Sequence, residues 1–302
     1  MQVLVGLNSK VILDYLNYTN SFIIGLKDFS INYQEYTIDE IRKLREDYPS
    51  IEIFVSVNKN IFNSDLPLLE ERLEELDKLN INGVLFYDLS ILSIVKRKNL
   101  KLDLVWAQEH MTTNYNTCNY YYNNGCKYVY LSSEITIDEI KEIKANSNIK
   151  LISFFFGYPD VSFTKRKLLT NYFLYNNINK ERDWYVISSD EDSKYFIKES
   201  KLGTRILYGK VMNGIKPFYE LKDTVDYALL NEELMDHDTF ITGLSVFKNL
   251  NEGKITLEEA NKKISELVNS EDTIFYNRKT IYKVKDEKKD WIIKSCGRLR
   301  KT

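Results

Sequence analysis

A β-α-β unit can be recognised in residues 128–157, which read YVYLSSEITIDEIKEIKANSNIKLISFFFG. Its two apolar runs, Tyr128–Leu131 and Lys150–Gly157, are rich in Val, Ile, Leu and Phe and are mostly continuous. Continuous runs of this length are typical of parallel strands that are buried on both faces. Between them, Thr136 and Glu139 form a capping box, in which each side chain caps the start of a helix. The unit therefore predicts strand, helix, strand.

The same alternation extends back to the amino terminus. Five further apolar runs precede this unit, and they are Val3–Gly6, Phe22–Leu26, Ile51–Asn58, Gly83–Tyr87 and Leu102–Gln108. Seven strands exceed a simple open sheet of five or six, so the pattern predicts closure into a TIM-like (β/α)8 barrel, which has no sheet edges to protect. Thr224–Leu230 is the candidate eighth strand, followed by a helix from about Asp236 to Asn249. The alternative is a doubly wound open sheet, but no G-x-G-x-x-G turn follows the first strand.

The domain boundaries follow from this strand count. Residues 1–250 are predicted to form the barrel, with an insertion at residues 158–222 after strand seven. Within the insertion, Trp184–Ser188 and Lys194–Lys198 predict a β-hairpin, with Gly203–Tyr208 as a candidate third strand. Since it leaves the carboxyl end of a barrel strand, the insertion is expected to form part of the roof over the active face. Residues 251–302 are predicted to be a helical and basic extension, either solvated or used to dock RNA or protein.

Composition limits the class of protein. The chain has 302 residues, a formal net charge of -2 and 43% hydrophobic residues, which exclude intrinsic disorder and argue against a broadly basic nucleic-acid binder. No apolar run approaches the length that spans a bilayer, and the first residues predict a strand instead of a signal peptide. Three Cys without framework spacing favour a reducing cytoplasm, and two His with three Cys argue against a closed zinc site. We therefore expect a cytoplasmic protein without a membrane segment or a structural metal.

Five segments, in this order and spacing, resemble one known family. They are Asn82–Leu89, Gln108–Asn114, Gly125–Ile135, Ile152–Gly157 and Phe163–Tyr172. Together they are similar to peptidase family U32, the collagenase-like peptidases, over most of residues 1–250. The resemblance implies a TIM-barrel-like fold. It also implies either proteolysis, as in the family name, or a role in hydroxylating tRNA, ribosomal RNA or ubiquinone precursors.

The resemblance also bears on a cofactor. Several U32 members bind an iron–sulfur cluster through four cysteines around the segment that follows strand seven. Here Gly157–Tyr172 contains no cysteine, and Cys118, Cys126 and Cys296 lie elsewhere in the sequence. Three thiolates do not make a four-cysteine site, so we expect no cofactor and no bound cluster. The Arg of the family's Arg-Glu pair is also replaced, by Ser133, whereas Glu134 remains.

Polar residues at the carboxyl ends of the predicted strands are the candidates for the site, because catalytic groups of a barrel come from these ends. The catalytic candidates are Asp88, His110 and Glu134, and the candidates for substrate binding are Asn58, Gln108, Asn114, Arg166 and Lys167. Each catalytic candidate has a structural alternative. Asp88 is equally suited to cap the helix that starts at Leu89, Glu134 to lie near a helix start, and His110 to be a solvated loop residue beside Glu109.

Arg166 lies in the basic run of residues 165–167. We expect it to be partly buried near Glu134 or Asp88 as a bidentate clamp for carboxylate or phosphate, whereas the alternative is a solvated basic turn.

No H-E-x-x-H or G-x-S-x-G motif is present. Two functions therefore stay open. One is a barrel that acts in tRNA hydroxylation; the other is a non-catalytic barrel that binds and supports a cluster-bearing U32 paralogue. RNA and such a paralogue are the expected partners, and the sequence leaves the oligomeric state open.

Overall fold

The computed structural model describes residues 1–108, 110–188 and 194–278. Within these residues the strands are β1 Gln2–Gly6, β2 Ser21–Leu26, β3 Glu35–Tyr36, β4 Glu52–Val57, β5 Gly83–Phe86, β6 Leu104–Trp106, β7 Cys126–Tyr130, β8 Lys150–Gly157, β9 Asp160–Thr164, β10 Trp184–Ser188, β11 Lys194–Ser200, β12 Gly203–Tyr208, β13 Met212–Asn213 and β14 Tyr227–Asn231. The helices are α1 Ile38–Asp47, α2 Leu66–Asp77, α3 Leu89–Lys98, α4 Tyr115–Asn123, α5 Ile137–Ala145, α6 Leu168–Tyr175, α7 Ile215–Glu220, α8 His237–Asn251 and α9 Leu257–Val268. A short 3-10 helix, Leu13–Tyr15, follows β1.

Eight parallel strands close into a barrel. Their order is β1, β2, β4, β5, β6, β7, β8 and β14, and β14 pairs in turn with β1. The closing register places Gln2 opposite Tyr227 on one side of β1 and Leu4 opposite Ser21 on the other. The predicted TIM-like barrel is therefore confirmed, and the open-sheet alternative is wrong.

Large aromatic residues fill the interior of the barrel. Phe54, Tyr128 and Tyr227 contact one another edge to face, with ring centroids 5.4–5.9 Å apart. They come from β4, β7 and β14, which are not neighbours around the barrel, so their side chains can meet only across its interior. Such pairs add to the free energy gained from burial alone, by about 0.5–1.5 kcal/mol each.

The outer helices begin where the sequence predicts. Thr136 accepts a hydrogen bond from the Glu139 N–H, so the predicted capping box of α5 forms, and Thr37 with Glu40 makes a second one at the start of α1. Thr256 and Glu259 make a third at the start of α9. On α2, Leu69, Leu73 and Leu76 are fully buried, as their helical spacing indicates. Within the described residues, every helix is too short or too polar to cross a bilayer.

An antiparallel sheet lies between β8 and β14 in the sequence, and we call it the roof sheet. Its strand order is β10, β11, β12, β9. The predicted hairpin and third strand are confirmed, with Tyr185 opposite Ile197 and Ile197 opposite Ile206. The sequence analysis did not predict β9 or α6, which packs on one face of this sheet. The insertion ends beside its start, because Met212 pairs with Gly157.

The region after α9 packs on the barrel. Tyr276 is buried, its ring is stacked on Phe155 at 5.5 Å, and its hydroxyl donates to the Phe154 carbonyl at 2.7 Å. The segment after α9 is therefore anchored on the barrel through Tyr276, whereas Arg278, the first residue of the predicted basic tail, is exposed. The rest of the predicted basic tail, residues 279–302, lies outside the described residues.

Candidate active site

The carboxyl ends of the eight barrel strands lie at one face of the barrel, which we call the barrel mouth. A central cavity there has a volume of ≈ 20 Å³ and is lined by Asn58, Tyr158, Asp160 and Asn231 among others. That volume holds about one water molecule. A groove of ≈ 220 Å³ lies beside it and shares Asp160 with it. The barrel mouth therefore has a nearly filled centre and an open groove at one side.

Two of the predicted catalytic residues line this groove together. His110 follows β6 and Glu134 follows β7, and the His110 Nδ1 lies 4.0 Å from the Glu134 Oε1. Both side chains are exposed enough to contact a bound molecule, at 38% and 50% of their full surface. The Gln108 Oε1 accepts from the His110 N–H at 3.3 Å, so Gln108 holds the turn that presents His110. An imidazole beside a carboxylate can bind a polar group or exchange a proton with it.

The other candidates at this face do not line the groove. Asp88 accepts from the Ser90 N–H at 2.9 Å and caps α3, and Asn114 accepts from the Thr117 N–H at 2.9 Å and caps α4. Asn58 is buried at the central cavity, where it accepts from the Ile31 N–H at 2.9 Å. Asp88, Gln108, Asn114 and Glu134 share the barrel mouth, but of these four described residues only Glu134 lines the groove.

Arg166 and Lys167 lie away from the groove. They form an exposed turn between β9 and α6, and no acidic group of the described residues lies within ion-pair distance of either. The Arg166 carbonyl accepts from the Thr204 hydroxyl at 2.7 Å, which anchors the turn through its backbone and leaves the guanidinium in solvent. The expected burial of Arg166 near Glu134 or Asp88 is therefore wrong. Its binding of substrate stays a prediction, as does that of Lys167.

A buried ion-pair network joins the roof sheet to the barrel mouth. Arg205 on β12 is 4% exposed and donates to Glu233, after β14, at 2.7 and 3.0 Å. The Arg205 Nε donates to Asp160 on β9 at 3.0 Å, and Lys198 on β11 donates to Glu233 at 2.7 Å. Three strands of the roof sheet are thus bonded, directly or through Arg205, to one barrel carboxylate.

The two carboxylates of this network differ in their pKa. Burial alone would raise the pKa of Glu233, but the charges of Arg205 and Lys198 offset it and lower that pKa to about 2. Burial raises the pKa of Asp160, and the neighbouring Glu233 charge adds to the increase, in spite of Arg205. Asp160 also lies at the wall of the groove with 21% of its side chain exposed. It is therefore a second carboxyl, besides Glu134, that a molecule in the groove can contact.

Sequence reasoning missed this network, although a signal was present. The predicted eighth strand ended at Leu230, whereas β14 ends at Asn231, and Glu232 and Glu233 follow directly. The rule that polar residues after a barrel strand belong to the site would have selected both glutamates. Arg205 is the charged residue of the otherwise uncharged strand Gly203–Tyr208. A charged side chain that is buried in such a strand requires a partner of opposite charge.

A second polar network lies on the other side of β14. Glu232 accepts from the Tyr15 hydroxyl and contacts the His237 Nδ1 at 2.7 Å, and the His237 Nε2 lies 3.3 Å from Asp14. The hydrogen bond with Glu232 raises the pKa of the His237 imidazole. This network joins the start of α8 to the segment after β1.

The two cysteines among the described residues are buried and lie away from the barrel mouth. Cys118 and Cys126 are fully buried, and burial raises the pKa of each thiol to about 12, so both are protonated at neutral pH. They belong to α4 and to the first residue of β7, away from the barrel mouth. Cys296 lies outside the described residues. Within those residues, no three His, Cys, Asp or Glu side chains are grouped so that they could hold a metal ion.

Comparison with known proteins identifies the family. The model of peptidase family U32 matches residues 16–229, which is most of the barrel and the whole roof sheet. The chain belongs to peptidase family U32.

This U32 protein is 26% identical over 219 residues to tRNA hydroxylation protein P2 of Bacillus subtilis (strain 168), covering 69% of this chain and 70% of that protein. It is 24% identical over 165 residues to tRNA hydroxylation protein P1 of the same organism, covering 53% and 39%. A solved U32 peptidase structure is 12% identical, with a TM-score of 0.48, covering 76% of this chain and 92% of that one.

Proposed function

We propose that this U32 protein takes part in the hydroxylation of tRNA. The observation that supports this most is its similarity to tRNA hydroxylation protein P2, which extends over about two thirds of each chain. The groove at the barrel mouth supplies candidate contacts for the RNA, since His110, Glu134 and Asp160 line it together. A cytoplasmic location belongs to the same proposal, because both described cysteines are free thiols.

In this proposal His110 and Glu134 bind the reacting nucleoside. A carboxylate accepts hydrogen bonds from base or ribose donors, and an imidazole donates or accepts according to its protonation. Arg278, at the wall of the same groove, can pair with a phosphate. Proteolysis, which the family name implies, has less support, because neither described cysteine is exposed to act as a nucleophile.

A second candidate function is support of another U32 protein that holds the iron–sulfur cluster. It is favoured by the segment Gly157–Tyr172, which contains no cysteine, and by the buried, protonated state of Cys118 and Cys126. In this case hydroxylation would require the chain, but the residues that line its groove would take no part in the reaction.

One experiment separates these candidates. Hydroxylated nucleosides of bulk tRNA are measured by mass spectrometry in a strain that lacks the gene and in strains that express wild type, Glu134→Gln or Glu46→Gln. Glu46 is an exposed carboxylate on α1 and serves as the matched control. We expect the deletion to abolish a hydroxylated nucleoside, Glu46→Gln to restore it, and Glu134→Gln to restore less than a tenth of it.

Full restoration by Glu134→Gln would favour the supporting function instead. Unchanged nucleosides in the deletion strain would show that the proposed function is wrong.

A further inference from the structure

An aromatic ladder extends from the barrel mouth across the roof sheet, and it consists of Tyr158, Phe196 and Trp184. Tyr158 follows β8 and lines the central cavity. Its ring lies 4.9 Å from the Phe196 ring on β11, which lies 6.0 Å from the Trp184 ring on the edge strand β10. Both contacts are edge to face, and the outermost ring, Trp184, is the exposed one that a further flat group can reach.

The ladder lies on the face of the roof sheet that is turned toward the barrel. Trp184 is opposite Lys198, which is opposite Arg205, so these three side chains share one face. Arg205 and Lys198 both bond Glu233 of the barrel, which fixes the direction of that face. Helix α6 covers the other face, where Phe173 contacts Tyr185 at 5.0 Å.

The outer end of the ladder is exposed and basic. Trp184 keeps 38% of its surface exposed, and the Arg182 guanidinium lies 5.2 Å from its ring. Arg166 and Lys167 lie at the same end of the roof sheet, and none of these three cations has an ion-pair partner among the described residues. The acidic Asp183 and Glu199 at this end both pair with Lys180, and Glu181 is exposed.

Charge is distributed unevenly along this segment. Residues 158–210 contain ten Lys and Arg against seven Asp and Glu, although the whole chain is net negative at -2. Three of those seven acids, residues 190–192, lie outside the described residues. At the Trp184 end, the exposed cations Arg182, Arg166 and Lys167 have no ion-pair partner among the described residues, which favours a polyanion there.

We propose that the aromatic ladder binds unpaired nucleotides of an RNA, with one base stacked on Trp184 beside Arg182 and the strand directed toward Tyr158 at the barrel mouth. This inference rests on the proposed function and names the part of the RNA that the protein binds. Exposed aromatic rings and Arg guanidinium planes stack on bases of any sequence, and the adjacent cations contact the phosphates. Bases inside an A-form duplex are not available for such stacking, so the ligand is a single-stranded loop or end.

The test measures binding of a fluorescein-labelled, single-stranded RNA of about 12 nucleotides to the purified full chain by anisotropy. We expect Trp184→Ala to weaken binding about tenfold and Trp184→Phe, which keeps a ring, to restore most of it. Arg182→Ala, a change of an exposed side chain, is expected to weaken binding severalfold. The matched control is Tyr175→Ala, which removes an aromatic residue of α6 that is 87% exposed, and it should bind as wild type does.

A spectroscopic signal accompanies the binding. The chain has three Trp, of which Trp106 is buried, so the measurement is made in a Trp291→Phe background. RNA that stacks on Trp184 should quench tryptophan fluorescence in that background and with Tyr175→Ala added, but not with Trp184→Phe added. A duplex RNA of the same length should compete poorly. Equal competition by the duplex, or equal affinity of Trp184→Ala and wild type, would overturn the stacking.

Other results separate RNA binding by the ladder from the proposed function. If wild type fails to bind the RNA while the deletion strain loses a hydroxylated nucleoside, RNA binding by the ladder is wrong and the proposed function stands. If the ladder binds RNA but tRNA hydroxylation is unchanged in the deletion strain, only the proposed function fails. If light scattering shows that wild type self-associates and Trp184→Ala does not, with RNA binding unchanged, β10 belongs to a protein interface and the stacking is wrong.

Discussion

At the scale of single residues, Asp88 has an observed role as a helix cap and a predicted role in catalysis, and one substitution can separate them. Its carboxylate caps α3 through the Ser90 N–H, and it lies outside the groove that His110 and Glu134 line. Asn caps a helix about as well as Asp but cannot act as an acid or base. We therefore expect Asp88→Asn to support tRNA hydroxylation at the wild-type level, with the hydroxylated nucleosides as the measurement.

The cap itself is tested by a second variant. Asp88→Ala should lower the free energy of unfolding in urea by about 1 kcal/mol, because it removes the acceptor for the Ser90 N–H. If Asp88→Asn keeps this free energy and still abolishes hydroxylation, Asp88 is a catalytic residue as the sequence predicted.

His237 makes part of the stability dependent on pH. Its folded-state pKa is raised, first by its hydrogen bond with Glu232, so the imidazolium form is favoured in the folded protein. The stabilisation is complete below the unfolded-state pKa of about 6.5 and is lost as the pH rises through the folded value. We expect urea unfolding to show that His237→Gln is destabilised relative to wild type at about pH 5.5 and less so at about pH 8.5.

His110→Gln is the matched control for that series, because the His110 Nδ1 lies 4.0 Å from the Glu134 Oε1, which is beyond hydrogen-bond distance. Its free energy of unfolding should follow the wild-type pH profile. A His237→Gln profile parallel to wild type would contradict the role of the Glu232 contact.

At the scale of elements, the roof sheet depends on Glu233. Glu233→Gln removes the charge that pairs with the buried Arg205 and with Lys198, and loss of one partner of a buried pair costs about 3–5 kcal/mol. Glu134→Gln, a change of a half-exposed carboxylate, should change the free energy of unfolding by no more than about 0.5 kcal/mol. Urea denaturation measures both, and equal values for the two variants would show that the network adds no stability.

Acid should weaken the same contact. The pKa of Glu233 is lowered to about 2, so its ion pairs stabilise the fold above the ordinary carboxyl pKa. That stabilisation falls as the pH drops from about 4.5 toward the folded value. Hydrogen exchange of β11 and β12 should accordingly quicken in this range, and in Glu233→Gln it should already be fast at neutral pH.

The barrel could be predicted from sequence because its strands are continuous apolar runs with capped helices between them. The ends of the strands were harder to predict than their existence. For example, the sequence predicts a strand over Leu102–Gln108, whereas β6 spans only Leu104–Trp106. Strand β9 was missed because its Asp160 and Ser162 interrupt the apolar pattern. The contact of Arg205 with Glu233 could not be predicted, because the two residues meet only through the packing of an antiparallel sheet on a parallel barrel.

The site was predictable to a similar degree. His110 and Glu134 follow neighbouring strands of a parallel sheet, so topology alone brings them together. Arg166 was misplaced because its neighbours Phe163 and Thr164 suggested a buried turn, whereas β9 carries that turn outward along the roof sheet. Side-chain direction on an insertion depends on its own pairing, which the barrel pattern does not determine.

At the scale of the whole molecule, the segment after α9 holds the barrel from outside. Tyr276→Ala removes a buried ring that stacks on Phe155 and a hydroxyl that bonds the Phe154 carbonyl, so we expect a loss of about 3–5 kcal/mol in the free energy of unfolding. Phe275→Ala, at the neighbouring and partly exposed position, is the control and should cost clearly less. Similar losses in urea denaturation would show that Tyr276 is not the anchor of this segment.

The pairing of Met212 with Gly157 has a consequence for how the family can diversify. Residues 158–211 leave the barrel at Gly157 and rejoin it at Met212, and these two residues are paired. For the rest of the barrel, the segment is therefore equivalent to a short connection between two strands. Closing such a connection costs little chain entropy once these two residues are in contact. Relatives can therefore exchange the whole segment for a shorter or a longer one without disturbing the order of the barrel strands. Natural selection can in this way alter what is recognised above a scaffold that stays the same.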